Sequence, residues 1–163
     1  MPGWWRPKLR RTRAYLRAGV SSAERERLAG CLEPAQLALF DRMQVADRRH
    51  GLDVMAELRR RGVSDRDLLL AGLLHDCGKD RRLRLVHRVA WSLGQRYGDW
   101  VWRVSEHLPT FRVGLTTLRE HDERSAGLAQ QAGCSSRTVD LIRNQDSPVD
   151  EEGRMLHEAD EAN

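Results

Sequence analysis

The sequence predicts an all-α fold, a single-domain helical bundle. Valine and isoleucine are sparse, and no stretch alternates with a period of two for long. Helix starts are written as a capping residue with an acid three positions on, and helix stops as glycine or proline. At 163 residues the chain is long enough to bury one core.

Helices are expected near 8–18, 22–30, 34–61 with a break around 43–47, 65–77, 81–97, 99–107, 117–132, 136–145 and 151–161. Gly19 closes the first, and Ser21-Ser22-Ala23-Glu24 opens the second, which Gly30 ends. Pro34 marks the next start, and Gly62 stops that long segment. Ser64-Asp65-Arg66-Asp67 reads as a further cap, and Gly78 as the stop after 65–77. Gly98 divides the two segments that follow, and Pro109 lies beyond them. Thr117-Leu118-Arg119-Glu120 caps 117–132, which ends at Gly133. Asn144-Gln145-Asp146-Ser147-Pro148 reads as the turn between the last two helices.

Residues 1–20 form a basic, tryptophan-bearing arm ahead of the helical domain at 21–163. Its tract Trp4-Trp5-Arg6-Pro7-Lys8-Leu9-Arg10-Arg11 carries groups that suit a membrane surface or nucleic acid, but it is short and interrupted by proline. It is expected to tuck against the bundle. No apolar run approaches the ~20 residues of a membrane span, and no apolar stretch follows the basic N-terminus as in a secretory signal. Cys31, Cys77 and Cys134 are scattered and odd in number, which reads as free thiols in a reducing, cytoplasmic setting. The net charge of +4 suits a phosphate-bearing ligand without singling out nucleic acid.

The most informative string is Leu68-Leu69-Leu70-Ala71-Gly72-Leu73-Leu74-His75-Asp76-Cys77-Gly78-Lys79. An apolar helix that ends in an imidazole beside a carboxylate is poor core design, because a buried carboxylate costs several kcal/mol unless paired or metal-bound. Adjacent helical residues point roughly 100° apart, so both can reach one ion only at the helix end. Lys8 and Lys79 are the only lysines in a chain that otherwise writes its cations as arginine. A compact ammonium is a good point partner for phosphate, although Lys79 also fits a plain exposed residue after a helix stop.

With His50 upstream and Asp160 late in the chain, this string resembles the HD-domain metal-dependent phosphohydrolases, whose pattern is H…HD…D. The resemblance implies a bundle of the HD type. It also implies a divalent transition metal (Fe, Mn, Co, Ni or Zn) in one tight site on His50, His75, Asp76 and Asp160, because mixed imidazole and carboxylate ligands suit these ions better than Ca or Mg. Asp146 is the rival of Asp160, but it sits in the turn. His121 resembles the first histidine of a second metal site, whose other histidine is replaced here by Asn144 or Gln145. His121 is therefore a candidate for a second metal or for phosphate contact, against a plain surface histidine, and His107 joins it only because it lies at a helix end, where clefts form. His87 reads as structural and His157 as solvent-facing; Arg81, Arg82 and Arg84 are either phosphate clamps or a solvated face.

The implied activity is hydrolysis of a nucleotide or related phosphate ester by metal-activated water, with Asp76 orienting the water and Lys79 offsetting developing charge. The Gly-Tyr-Pro signature of the cyclic di-GMP branch is missing. The partner is then a small phosphate-containing molecule, with nucleic acid disfavoured; the oligomeric state stays open. Two other readings are carried. One is a degenerate HD fold that binds nucleotide or metal without turnover. The other is a helix-turn-helix over 126–145, which requires Arg137, Thr138 and Arg143 to form one exposed basic face.

Overall fold

In the computed structural model, the described residues are 19–79 and 121–163, and they contain seven helices and no strand. They are α1 (Ser22–Ala29), α2 (Pro34–Arg42), α3 (Val45–Arg60), α4 (Arg66–Leu74), α5 (His121–Gln131), α6 (Ser136–Arg143) and α7 (Glu151–Ala162). The helices expected at 8–18, 81–97 and 99–107, most of the N-terminal arm, the Thr117 cap, His87, His107 and Arg81, Arg82 and Arg84 lie outside the described residues.

Local signals act where the sequence places them, with two corrections. Ser21 and Glu24 form a reciprocal capping box, with Ser21 N donating to the Glu24 carboxylate at 2.9 Å. The break in the long segment falls at Met43 and Gln44, both extended, so the chain turns between α2 and α3. The cap of α4 is Asp65, not Ser64: its carboxylate accepts from Leu68 N at 2.8 Å. Gly78 is the second correction. Its φ is not positive, and it is not a helix stop; a Cβ there would stand 2.6 Å from Ser125 N and 2.8 Å from the His121 carbonyl. Gly78 is small because another backbone passes against it.

Helix α4 explains the architecture. Leu68, Leu70, Ala71, Gly72, Leu73 and Leu74 are all buried, so the helix has almost no solvent face and must be surrounded. α3, α6 and α7 pack around it, and α5 lies against α6. α3 presents Leu52, Val54, Met55 and Leu58, while α7 presents Leu156 and Ala159. Gly51 of α3 meets α4 so closely that a Cβ would overlap the Leu73 carbonyl. Polar groups pin the rest. Ser135 and Thr138 hydroxyls donate to Asp67 at 2.7 and 2.9 Å, joining the start of α6 to α4. Asp150 caps α7 by accepting from Gly153 N at 2.8 Å.

Among the described residues no helix is long and apolar enough to cross a membrane.

Candidate metal centre

The candidate centre lies at the C-terminal end of α4, where the helix runs out and its last carbonyls leave partial negative charge that favours a cation. His75 is the C-cap, and 75–78 form a turn. Two bonds to α5 hold that turn: Gly78 N donates to Ser125 Oγ at 2.8 Å, and Cys77 Sγ contacts the Ser125 carbonyl at 3.5 Å. Ser125 had no signal in the sequence, because its role exists only across the α4–α5 contact.

His50 comes from α3, half-buried beside the fully packed Gly51. Asp160 comes from the last turn of α7, which Ala159 and Leu156 anchor in the core. His50 Nε2 donates to Asp160 Oδ1 at 2.6 Å, a link between residues 110 positions apart. His75 Nε2 stands 3.6 Å from the same oxygen. The two imidazoles meet edge to face with centroids 5.2 Å apart. Ligand atoms of His50, His75 and Asp160 all lie within 4.8 Å of one another, a group that could hold a metal ion.

Donor chemistry fits a cation. His75 Nδ1 donates to the Gly72 carbonyl at 2.9 Å, which fixes the ring and turns Nε2 toward the centre. His75 Nε2 is buried without a hydrogen bond, 3.6 Å from Asp76 Oδ1 and 3.6 Å from Asp160 Oδ1. A buried imidazole nitrogen between two carboxylates is costly unless it carries a proton or meets a cation. His75 and Asp76 are each only 2% exposed, whereas the His50 and Asp160 side chains keep 27% and 38% exposure. The centre is buried on the α4 side and accessible on the other.

Asp76 belongs to the centre without joining the close group of three. Its carboxylate is held by Lys79, whose Nζ is 2.6 Å from both oxygens and donates to Oδ2. His121 Nε2 lies 3.9 Å from Asp76 Oδ1 and 3.0 Å from Asp122. Asp146 is exposed on the turn, and it is Asp160 that joins His50 and His75 in the close group. His157 is not solvent-facing: Nδ1 donates to the Gln145 carbonyl at 3.0 Å.

Charge is tightly balanced here. Burial works against a charged His75, but the charges of Asp76 and Asp160 override it and raise its pKa to about 9. Burial likewise opposes an ionised Asp160, yet the hydrogen bond from His50 and the nearby His75 hold it well below the usual carboxylate range. Asp76 is also held low, by Lys79 and then His75, against its burial. Burial lowers His121, but its bond to Asp122 outweighs that and raises it. Although Asp146 lies on the exposed turn, its carboxyl is raised by partial desolvation and then by the charge of Asp122. The Cys77 thiol beside the turn is pushed up to about 12 by burial, so it is no thiolate nucleophile at neutral pH.

A pH dependence follows. With Nδ1 committed to Gly72, the dissociable proton of His75 sits on Nε2, the atom a metal needs. Metal uptake near neutral pH should therefore release a proton, and apparent affinity should rise toward pH ~9, about tenfold per unit for one proton. Calorimetry in two buffers of different ionisation enthalpy measures this. Equal heats would show that Nε2 is not displaced.

The basic face demanded by a helix-turn-helix is not formed. Thr138 is fully buried. Arg137 pairs with Asp150 at 2.7 Å and with Glu152, while Arg143 pairs with Glu123 and Asp140 at 2.9 and 3.0 Å. Both arginines are neutralised by neighbouring acids.

Among the described residues, fold and site define an all-helical arrangement with a candidate metal centre of two imidazoles and a carboxylate. Compared with protein-family models, curated proteins and solved structures, the chain gives no match.

Proposed function

We propose that this chain is a metal-dependent phosphohydrolase of the HD-domain kind, acting on a nucleotide or a related phosphate ester. One observation carries the reading: His50, His75 and Asp160, from three distant segments, converge at a helix end beside the buried Asp76 and its lysine. This convergence supports the H…HD…D reading of the sequence. A divalent transition metal held there would polarise a phosphoryl group and lower the pKa of bound water from 15.7 to about 7. His75 and Asp76 hold the buried side, with His50 and Asp160 toward the accessible side. Asp76 orients water through Oδ1, and Lys79 supplies fixed positive charge where a phosphoryl group gains negative charge.

Lys79 also favours a second reading, a non-catalytic metal or nucleotide binder. Its ammonium already compensates Asp76, so the turn is satisfied without any reaction. The two readings part on turnover. Chelator-treated protein is reloaded with Mn, Fe, Co, Ni or Zn and assayed against a panel of nucleotides and phosphate esters, with Asp76→Ala alongside. Hydrolysis that depends on added metal and is lost in Asp76→Ala is the expected result. Tight metal binding with no turnover across the panel selects the metal binder, and no metal binding at all removes both the phosphohydrolase and the metal binder.

A further inference from the structure

The structure assigns Gln145 the role of a positioning residue that ties together the segments carrying the proposed ligands. This inference rests on the metal reading above. Gln145 lies just past α6 and is 5% exposed. Its Nε2 faces two acceptors, the His75 carbonyl at 3.3 Å and Asp122 Oδ1 at 2.5 Å, so both amide hydrogens are used. Asp122 in turn lies 3.0 Å from His121 Nε2. The Gln145 main-chain carbonyl accepts from His157 Nδ1 at 3.0 Å, a bond that depends on the position of this segment and not on the Gln145 side chain, and His157 stands one turn before Asp160 on α7.

Each link therefore ends at the centre. The His75 carbonyl is one that α4 leaves without an intrahelical partner, and Gln145 holds it and with it the His-Asp turn. Asp122 orients His121 from the start of α5. His157 fixes the rotation of the helix that carries Asp160. A leucine of similar volume could fill the space but donate to neither acceptor, and a glutamate would face Asp122 with like charge. Gln145 touches none of the reacting atoms. It acts through the ligands, by holding α4, α5 and α7 in one arrangement.

The test is cobalt(II) titration of the full chain, read by visible absorption bands and by affinity against a competing chelator. Gln145→Leu, His157→Phe and the ligand variant His50→Ala are compared with wild type, each with a thermal melt. Wild type should bind with defined bands, and His50→Ala should lose them. Gln145→Leu should bind about 10- to 100-fold more weakly with altered bands, the size of effect that partners of metal ligands show. His157→Phe should weaken binding in the same direction with little change in melting. Wild-type affinity and bands in both variants would overturn the inference while leaving the metal reading intact. Should Gln145→Leu not fold, His157→Phe decides: weakened binding supports the role, and unchanged binding ends it. If wild type binds no cobalt while folded, the metal reading fails and this inference falls with it.

Discussion

Asp160→Asn should strip tightly bound transition metal from the protein and abolish any metal-dependent hydrolysis while leaving the fold in place. The substitution keeps the shape and one acceptor for His50, whose Nε2 lies 2.6 Å from Oδ1, so α7 can still dock on α3. What it removes is the charge shared by His50 and His75, the one carboxylate in the close group of three. Losing a partner of a ligand costs about 10- to 100-fold in affinity, so losing a charged ligand should exceed about 100-fold. A second effect reinforces the first. The raised pKa of His75 owes part of its value to Asp160, so the variant's imidazole should titrate below about 9. Elemental analysis of purified wild type and variant measures the metal, and NMR titration of the imidazole follows the proton. Equal metal content in the two proteins would remove Asp160 from the centre.

Gly51→Ala should destabilise the protein, against the usual sign for a helix interior. Glycine to alanine in a helix ordinarily gains up to about 1 kcal/mol. Here the added methyl would overlap the Leu73 carbonyl and lie 3.1 Å from its carbon, and these are backbone atoms that cannot rotate away. Overpacking of this kind costs about 1–3 kcal/mol, occasionally more, so α3 and α4 must separate. For a chain of this size each kcal/mol lowers the melting temperature by about 2–4 °C. The same separation draws His50 away from His75, so cobalt affinity should fall together with stability. Gly127→Ala is the internal control. A Cβ there meets nothing within 4 Å, and that variant should gain about 0.5–1 kcal/mol. Matching gains at both positions in thermal melts would show that α3 and α4 are not in close contact.

The two variants probe different reaches of the sequence. Helix starts and stops are local events, so Ser21 with Glu24, the break near Met43 and the positive φ of Gly62 and Gly133 were legible from nearby residues. The His75-Asp76 turn was legible for the same reason, since an apolar helix ending in two polar groups leaves its mark in adjacent letters. Where two local signals compete, neighbours decide. Ser64 and Asp65 are both capping residues, and the carboxylate that reaches Leu68 N is that of Asp65. Gln145 was visible only as a departure from a histidine within a turn, and neither its burial nor its partners could be read from neighbouring residues.

Among the described residues, the sequence by itself determined the all-helical content, most of the helix boundaries and the residue types able to hold a metal, because capping, glycine conformation and apolar spacing act over a few residues. Only the tertiary structure decided that His50 meets Asp160, that Gly78 is small to admit Ser125, that His157 turns inward and that Gln145 joins three segments. Those contacts depend on how closely packed helices approach one another in space, and spacing along the chain does not encode that distance.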